Sequence, residues 1–440
     1  MLIISVVIII ILTARYDIHP FLALLVAAIT YGLCTGMQLE QLVSGINEGF
    51  GDTLGKVGLV ILLGVIIGSF LEWSGGAYKM ASFILRLIGT HRVHDAMGII
   101  GYLVSIPVFA DSGFIILSPL NKSLSKKAKV SLAGTGIALI LGLMVTHTMV
   151  PPTPGPIAAA GIVNADIGYV MLFGLTASVV ALLIGILFAK SVASKVYIDP
   201  NPELTEIEIE AKLRDAPSTL RSFLPIVVPI ALIVGRSLAI FSVEGESTSF
   251  LLSIISFLGS PVIALLIGVL LAFSLPRDWD RRMLSTSGLV GKSLQSASNI
   301  LLITGAGGIF GTILQRSGIA DQLASSMSEL HLGIWLPFVI AAAIKTAQGS
   351  STVALITTAS IIAPLATSLG FESEMDKALL VVAMGAGSLV VAHANDSSFW
   401  VVTQMCNMDT KTGYKLYSVG TLLCGLTAAI VIQVIAILIG

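Results

Sequence analysis

The chain has 440 residues, 55% of them hydrophobic and 11% charged, where soluble domains carry roughly 25% charged residues. Its 24 Lys and Arg against 25 Asp and Glu leave a formal net charge of −1, which argues against a nucleic-acid partner. Such a composition excludes a soluble globular domain and predicts an all-α polytopic membrane protein. At about 20 residues per span the length allows roughly ten to twelve crossings.

In chain order, apolar runs predict spans over 2–14, 19–36, 56–72, 130–150, 168–190, 222–243, 248–274, 297–314, 378–394 and 414–439. The first run has neither a basic flank nor a small-residue cleavage site, so it is expected to be a retained span rather than a signal peptide. Two further stretches, 97–120 and 333–366, are apolar but interrupted midway by small polar residues, and are read as re-entrant hairpins. Residues 77–89 and 318–330 have a mixed, interfacial pattern. Cys34, Cys406 and Cys424 lack metal-ligand spacing and are expected to be small packing residues.

One polar segment, 196–221, divides the chain into 1–195 and 222–440, and the two parts resemble each other. His19-Pro-Phe-Leu-Ala-Leu-Leu-Val matches Ser260-Pro-Val-Ile-Ala-Leu-Leu-Ile at an offset of 241, and Gly68–Ser82 matches Gly311–Ser325 at 243 with seven identities in fifteen. Gly168-Tyr169 matches Gly413-Tyr414 at 245. Each half would then hold five spans and one hairpin. An odd number of crossings turns the second copy upside down, which is the inverted-repeat plan of secondary transporters, with broken helices meeting at the midplane. Lys122, Lys126, Lys127, Lys129, Lys190, Lys195, Arg277, Arg281 and Arg282 put their loops in the cytoplasm by the positive-inside rule. The acidic segments 40–52, 244–246 and 372–376 then lie outside.

The interruptions carry the chemistry. In the broken helix 130–162, the apolar run meets Val145-Thr-His-Thr-Met-Val-Pro-Pro-Thr-Pro-Gly-Pro156, and these prolines stop the helix. Backbone groups freed at that depth must face protein or a polar cavity. The second broken helix, 378–406, contains His393-Ala-Asn-Asp-Ser-Ser-Phe-Trp400, whose Asn395, Asp396 and Ser397 offer donors and acceptors suited to a polyol. The first hairpin tip holds Asp111, Ser112 and Gly113; an aspartate at membrane depth is costly and points to function, or to a helix cap. The second tip, Lys345-Thr-Ala-Gln-Gly-Ser-Ser-Thr352, would present hydroxyls and free amides at the positive end of a half-helix, suited to a carboxylate. Lys345 would meet a substrate carboxylate or snorkel to an interface. Arg236 presents the same two options. His147 and His393 each precede a break and would serve as proton carriers, or as hydrogen-bonded structural groups. No catalytic motif and no metal-ligand set is found, and Gly305–Gly311 reads as close helix packing.

At these residues the sequence resembles the gluconate:H⁺ symporter (gluconate permease) family, through 19–25, 109–114, 146–156 and 393–400. More distantly its layout is similar to the ion-transporter superfamily fold. The resemblance implies a proton-coupled importer of a sugar acid in a bacterial inner membrane, an elevator-type homodimer among lipids with no cofactor and no enzymatic activity. It places substrate contacts on Asp111, Ser112, Gly113, Thr153, Gly349, Ser350, Ser351, Thr352, Asn395, Asp396 and Ser397. Asp111, His147, His393 and Asp396 are then the candidates for carrying the proton. No Ser-Asn-Thr signature of sodium-coupled dicarboxylate relatives stands at either tip. Relatives in the family handle other small hydroxylated acids or an amino acid, so D-serine or glycerate is the alternative substrate class. A passive channel, or a hydrolase using Ser112 with His147, are the readings from other classes.

Overall fold

The computed structural model describes residues 1–16, 18–200, 214–241, 250–318 and 333–439, and all regular secondary structure among them is helical. The first part holds α1 (Leu2–Ile10), α2 (Pro20–Cys34), α3 (Leu39–Trp73), α4 (Gly76–Ile88), α5 (Val93–Val104), α6 (Ala110–Ala128), α7 (Leu132–Met149), α8 (Pro154–Val163) and α9 (Ile167–Ser191). The second holds α10 (Thr219–Phe241), α11 (Phe250–Leu258), α12 (Pro261–Ala272), α13 (Leu289–Arg316), α14 (Trp335–Gln348), α15 (Ser351–Ile362), α16 (Glu374–Leu389), α17 (Ser397–Met405) and α18 (Val419–Ile439). Most of the polar segment, most of 318–330 and the acidic group at 244–246 lie outside the described residues.

Six helical runs are long and apolar enough to cross a bilayer, and a bent pair makes a seventh. The expected ten full spans therefore need correction. Residues 248–274 are not one straight span: Gly259 and Ser260 precede Pro261, and the two helices meet at 62°. The expected span 2–14 is helical throughout, α1 running on as a π-helical turn Ile11–Arg15, while 19–36 and 378–394 correspond to helices of 15 and 16 residues; all three are short of the roughly twenty that a full crossing takes. The expected exterior loop at 40–52 is instead the first half of α3. Its charges share the helix with a buried face at Leu42, Gly45, Gly49 and Thr53, a helical spacing. Lys122, expected in a loop, is buried within α6.

Two helices at the centre of the fold are buried on nearly every side. Every residue of α7 is buried except His147, and every residue of α15 except Thr352. Helices without a polar face are interior by necessity. Small residues let them pack closely. A Cβ at Gly142 of α7 would lie 3.1 Å from the Tyr102 backbone nitrogen of α5, and one at Gly49 of α3 would lie 2.8 Å from Ile309 Cα of α13. Such contacts drive helix association where solvent offers no hydrophobic effect. By contrast α1 and α18 expose Ile3, Ile4, Val7, Ile430, Val434 and Ile437; an outer apolar face of this kind suits lipid.

Arg236 neither snorkels nor lies free. Its Nη1 is 3.4 Å from Asp166 Oδ2, and Ser237 donates to Asp166 Oδ1 at 2.6 Å, so both fix the N-terminal cap of α9. Cys406 and Cys424 are buried as expected of packing residues, whereas Cys34 is exposed at the end of α2.

Candidate functional site

Each interruption ends one helix and begins another, and the new N-termini are what matter chemically. α5 stops at Val104, and after a five-residue tip α6 starts at Ala110. α7 stops at Met149, where Pro151 and Pro152 remove two donors, and α8 starts at Pro154. α14 stops at Gln348. Gly349 takes a left-handed backbone (φ +92°), and Ser350 caps α15 by accepting from the Val353 amide at 3.3 Å. That conformation favours glycine, and any side chain here would also collide with the Asn395 carbonyl.

The segment 390–396 between α16 and α17 is unwound, yet its polar groups are provided for. Ala392 N–H donates to Thr421 Oγ1 at 3.2 Å, and the Ala392 carbonyl accepts from Ser418. The Ala394 carbonyl accepts from Trp400 Nε1 at 2.8 Å, and Asp396 N–H reaches the His393 carbonyl at 2.8 Å. Irregular backbone at membrane depth is tolerated under these conditions. The same segment clasps the end of α14: His393 Nε2 and Asn395 Nδ2 both reach the Thr346 carbonyl, at 2.7 and 2.9 Å.

Three of the new N-termini border one cavity of about 540 Å³, lined by residues 109–112, 348–352 and 395–398 together with Met144 and His147. Eleven of these fifteen residues carry polar side chains, which suits a hydroxylated ligand more than an apolar one. The fourth N-terminus adjoins it, since a Cβ at Gly155 of α8 would lie 3.6 Å from Thr352 Cα. Each helix N-terminus carries about half a positive charge. Such ends attract negative charge.

Two carboxylates face it with different partners. Asp396 caps α17 by accepting from the Ser398 amide at 2.9 Å, and its Oδ2 meets Lys345 Nζ at 2.5 Å. Lys345 and Asp396 are both buried, and the ammonium also donates to the Gly349 carbonyl. Asp111 is not the cap of α6, since that position belongs to Phe109. Its Oδ2 accepts from Ser397 at 2.6 Å and its Oδ1 from Ser398 at 2.5 Å. Residues about 290 positions apart thus tie the first hairpin tip to the second broken helix. Among the described residues no cation is paired with Asp111.

Of the residues singled out from sequence, Asp111, Ser112, His147, Gly349, Ser350, Ser351, Thr352, Asn395, Asp396 and Ser397 all line the cavity. Four do not. Thr153 donates its hydroxyl to the Val150 carbonyl at 2.5 Å and is buried in its own turn. Gly113 packs on α7, where a Cβ would lie 2.8 Å from Leu143 Cδ2. His393 is bonded to α14, and Lys345 lies behind the wall, paired with Asp396 rather than open to a ligand or at an interface. His147 is different from His393: it faces the cavity beside Phe109, and its Nδ1 has no partner among the described residues. Ser398 stands in the broken segment that sequence marked but was not singled out. Gln348 and Phe109 stand in segments that sequence marked but were not singled out either, and Met144 offers nothing in sequence that separates it from a packing residue.

The profile of the GntP family permeases matches residues 1–438. The chain is 36% identical to a gluconate permease of Pseudomonas aeruginosa over 93% of its own length and 91% of the relative's. It is 33% identical to the D-serine transporter DsdX of Escherichia coli K12, over 97% and 95% of the two chains. Among solved structures, the YdaH transporter of Alcanivorax borkumensis superposes with a TM-score of 0.69 at 14% identity, over 94% of this chain and 98% of that one. At that identity the likeness is one of fold.

Proposed function

The chain belongs to the GntP permease family, and from that premise we propose that it is a secondary carrier importing a sugar acid such as gluconate with a proton. The observation that carries this reading is the polar cavity on which helix N-termini from both parts of the chain converge. A volume of about 540 Å³ lies in the range of roughly 300–1,000 Å³ typical of small-ligand sites. The substrate carboxylate meets the amides and hydroxyls at the start of α15, where Ser350, Ser351 and Thr352 stand. The hydroxyl chain meets Asn395, Ser397 and Gln348. Asp111 carries the proton, with His147 as the next candidate on the wall. Asp396 is held by Lys345 and is assigned to positioning.

The finer architecture belongs to the same reading. Apart from α4, whose counterpart stretch falls mostly outside the described residues, both parts of the chain run in the order long helix, helix–tip–helix, broken helix, long helix (α3 to α9 and α13 to α18). Together with the sequence matches at offsets of 241 to 245, that order supports two inverted repeats, 1–195 and 222–440, whose interruptions meet halfway across the bilayer. The carrier works as a homodimer in the bacterial inner membrane.

The kinship with DsdX favours one alternative, a carrier of D-serine or a short hydroxyacid such as glycerate. Competition for labelled gluconate uptake separates the two. Sugar acids are expected to compete strongly, D-serine and glycerate weakly, and hexanoate not at all, because the wall rewards hydroxyls. Strong competition by D-serine with weak competition by sugar acids selects the alternative. Equal competition by hexanoate refutes recognition of the hydroxyl chain.

A further inference from the structure

Lys345 sits on the last turn of α14 and is 1% exposed. An ammonium at that depth is retained only with acceptors around it. Two are present: the Gly349 carbonyl, freed where α14 stops, and Asp396 Oδ2 at 2.5 Å, part of the carboxylate that caps α17. The negative end of α14 adds its partial charge. A carbonyl from an interrupted helix and a helix C-terminus are the groups with which carriers hold a coupling cation beside the substrate, and the Asp396 carboxylate adds a full negative charge to them. Here that set is already occupied by a side chain. The surrounding backbone is fixed to match: Gly349 takes the left-handed turn, and Asn395 and His393 clasp the Thr346 carbonyl one turn earlier in α14.

We propose, on the carrier reading above, that the Lys345 ammonium is a tethered cation permanently filling a monovalent-cation site behind the cavity wall. It holds the second hairpin tip and the start of α17 together, work that a dissolved ion would otherwise do. Lys345 is thus a positioning residue, and it removes sodium from the transport cycle. Cutting the side chain back to alanine vacates a pocket with a carbonyl and a carboxylate left in place. A small monovalent cation then binds there.

The test uses the full chain, purified, in sodium-free choline media. Wild type is expected to take up gluconate at the same rate in choline and in sodium, with a thermal midpoint in detergent that neither ion moves. Lys345→Ala is expected to lose most of its uptake in choline, because it leaves the Asp396 carboxylate buried without its counter-charge. Methylammonium or sodium should restore part of that loss and raise the thermal midpoint, while tetramethylammonium, too bulky for the vacated space, should do neither. Wild-type uptake that depends on sodium overturns the proposal. So does a Lys345→Ala protein that no small cation restores in either folding or uptake. The thermal midpoint is read without transport. A wild type that moves no hydroxylated acid therefore defeats the carrier reading alone, while Lys345 is still judged by the cation-dependent midpoint of its variant.

Discussion

Asp111→Asn is expected to abolish accumulation of gluconate above its external concentration while leaving exchange of labelled for unlabelled substrate in place. The charges on the cavity wall give the reason. Asp396 is paired with Lys345, whereas among the described residues Asp111 is held by the hydroxyls of Ser397 and Ser398 alone. A substrate carboxylate drawn in by the helix N-termini therefore meets one uncompensated negative charge. At a separation near 4 Å and an effective dielectric of about 20, the repulsion is on the order of 4 kcal/mol, close to a thousandfold in affinity. Protonating Asp111 removes it, so anion and proton favour each other's binding. Asparagine removes it permanently, and the substrate then binds whether or not a proton accompanies it. Transport should become equilibrative. If Asp111→Asn accumulates gluconate as steeply as wild type, the coupling role moves to His147, since Asp396, the third titratable group on the wall, is paired with Lys345.

Asp396→Ala is expected to act first on stability, lowering it by about 3–5 kcal/mol. The substitution leaves the Lys345 ammonium buried without its counter-charge and takes away the acceptor for the Ser398 amide at the start of α17. Thermal unfolding in detergent measures the loss. Adding Lys345→Met to Asp396→Ala is expected to recover most of it, because removing both charges leaves no ion stranded in an apolar site. A single variant as stable as wild type, or a double variant no better than the single, contradicts the pairing.

Sequence shows where the helices break, because proline, asparagine and aspartate are rare inside apolar runs and each has a cost that function must justify. Val145–Pro156 and His393–Ser398 stand out for that reason, and both are helix breaks in the structure. What joins the breaks is less legible. The contacts of Asp111 with Ser397 and Ser398, and of Lys345 with Asp396, link residues on different helices, and no periodicity along the chain announces them. Reading Lys345 as a substrate contact followed from its charge and its place near a tip, while its burial depends on how α14 meets α17. Thr153 shows the opposite limit. The family resemblance implies a substrate contact there, but the turn itself consumes the hydroxyl through the Val150 carbonyl. The length of α3 was hidden by its charged residues, which occupy one face of a helix whose other face is small and buried.

The most direct measurement is proton movement on adding gluconate to proteoliposomes that hold no prior pH gradient. If the converging helix ends bind an anion together with a proton, the external medium turns alkaline as gluconate enters, and Asp111→Asn abolishes that signal while substrate exchange continues. Gluconate uptake with no accompanying proton movement, or an undiminished signal in Asp111→Asn, contradicts the account.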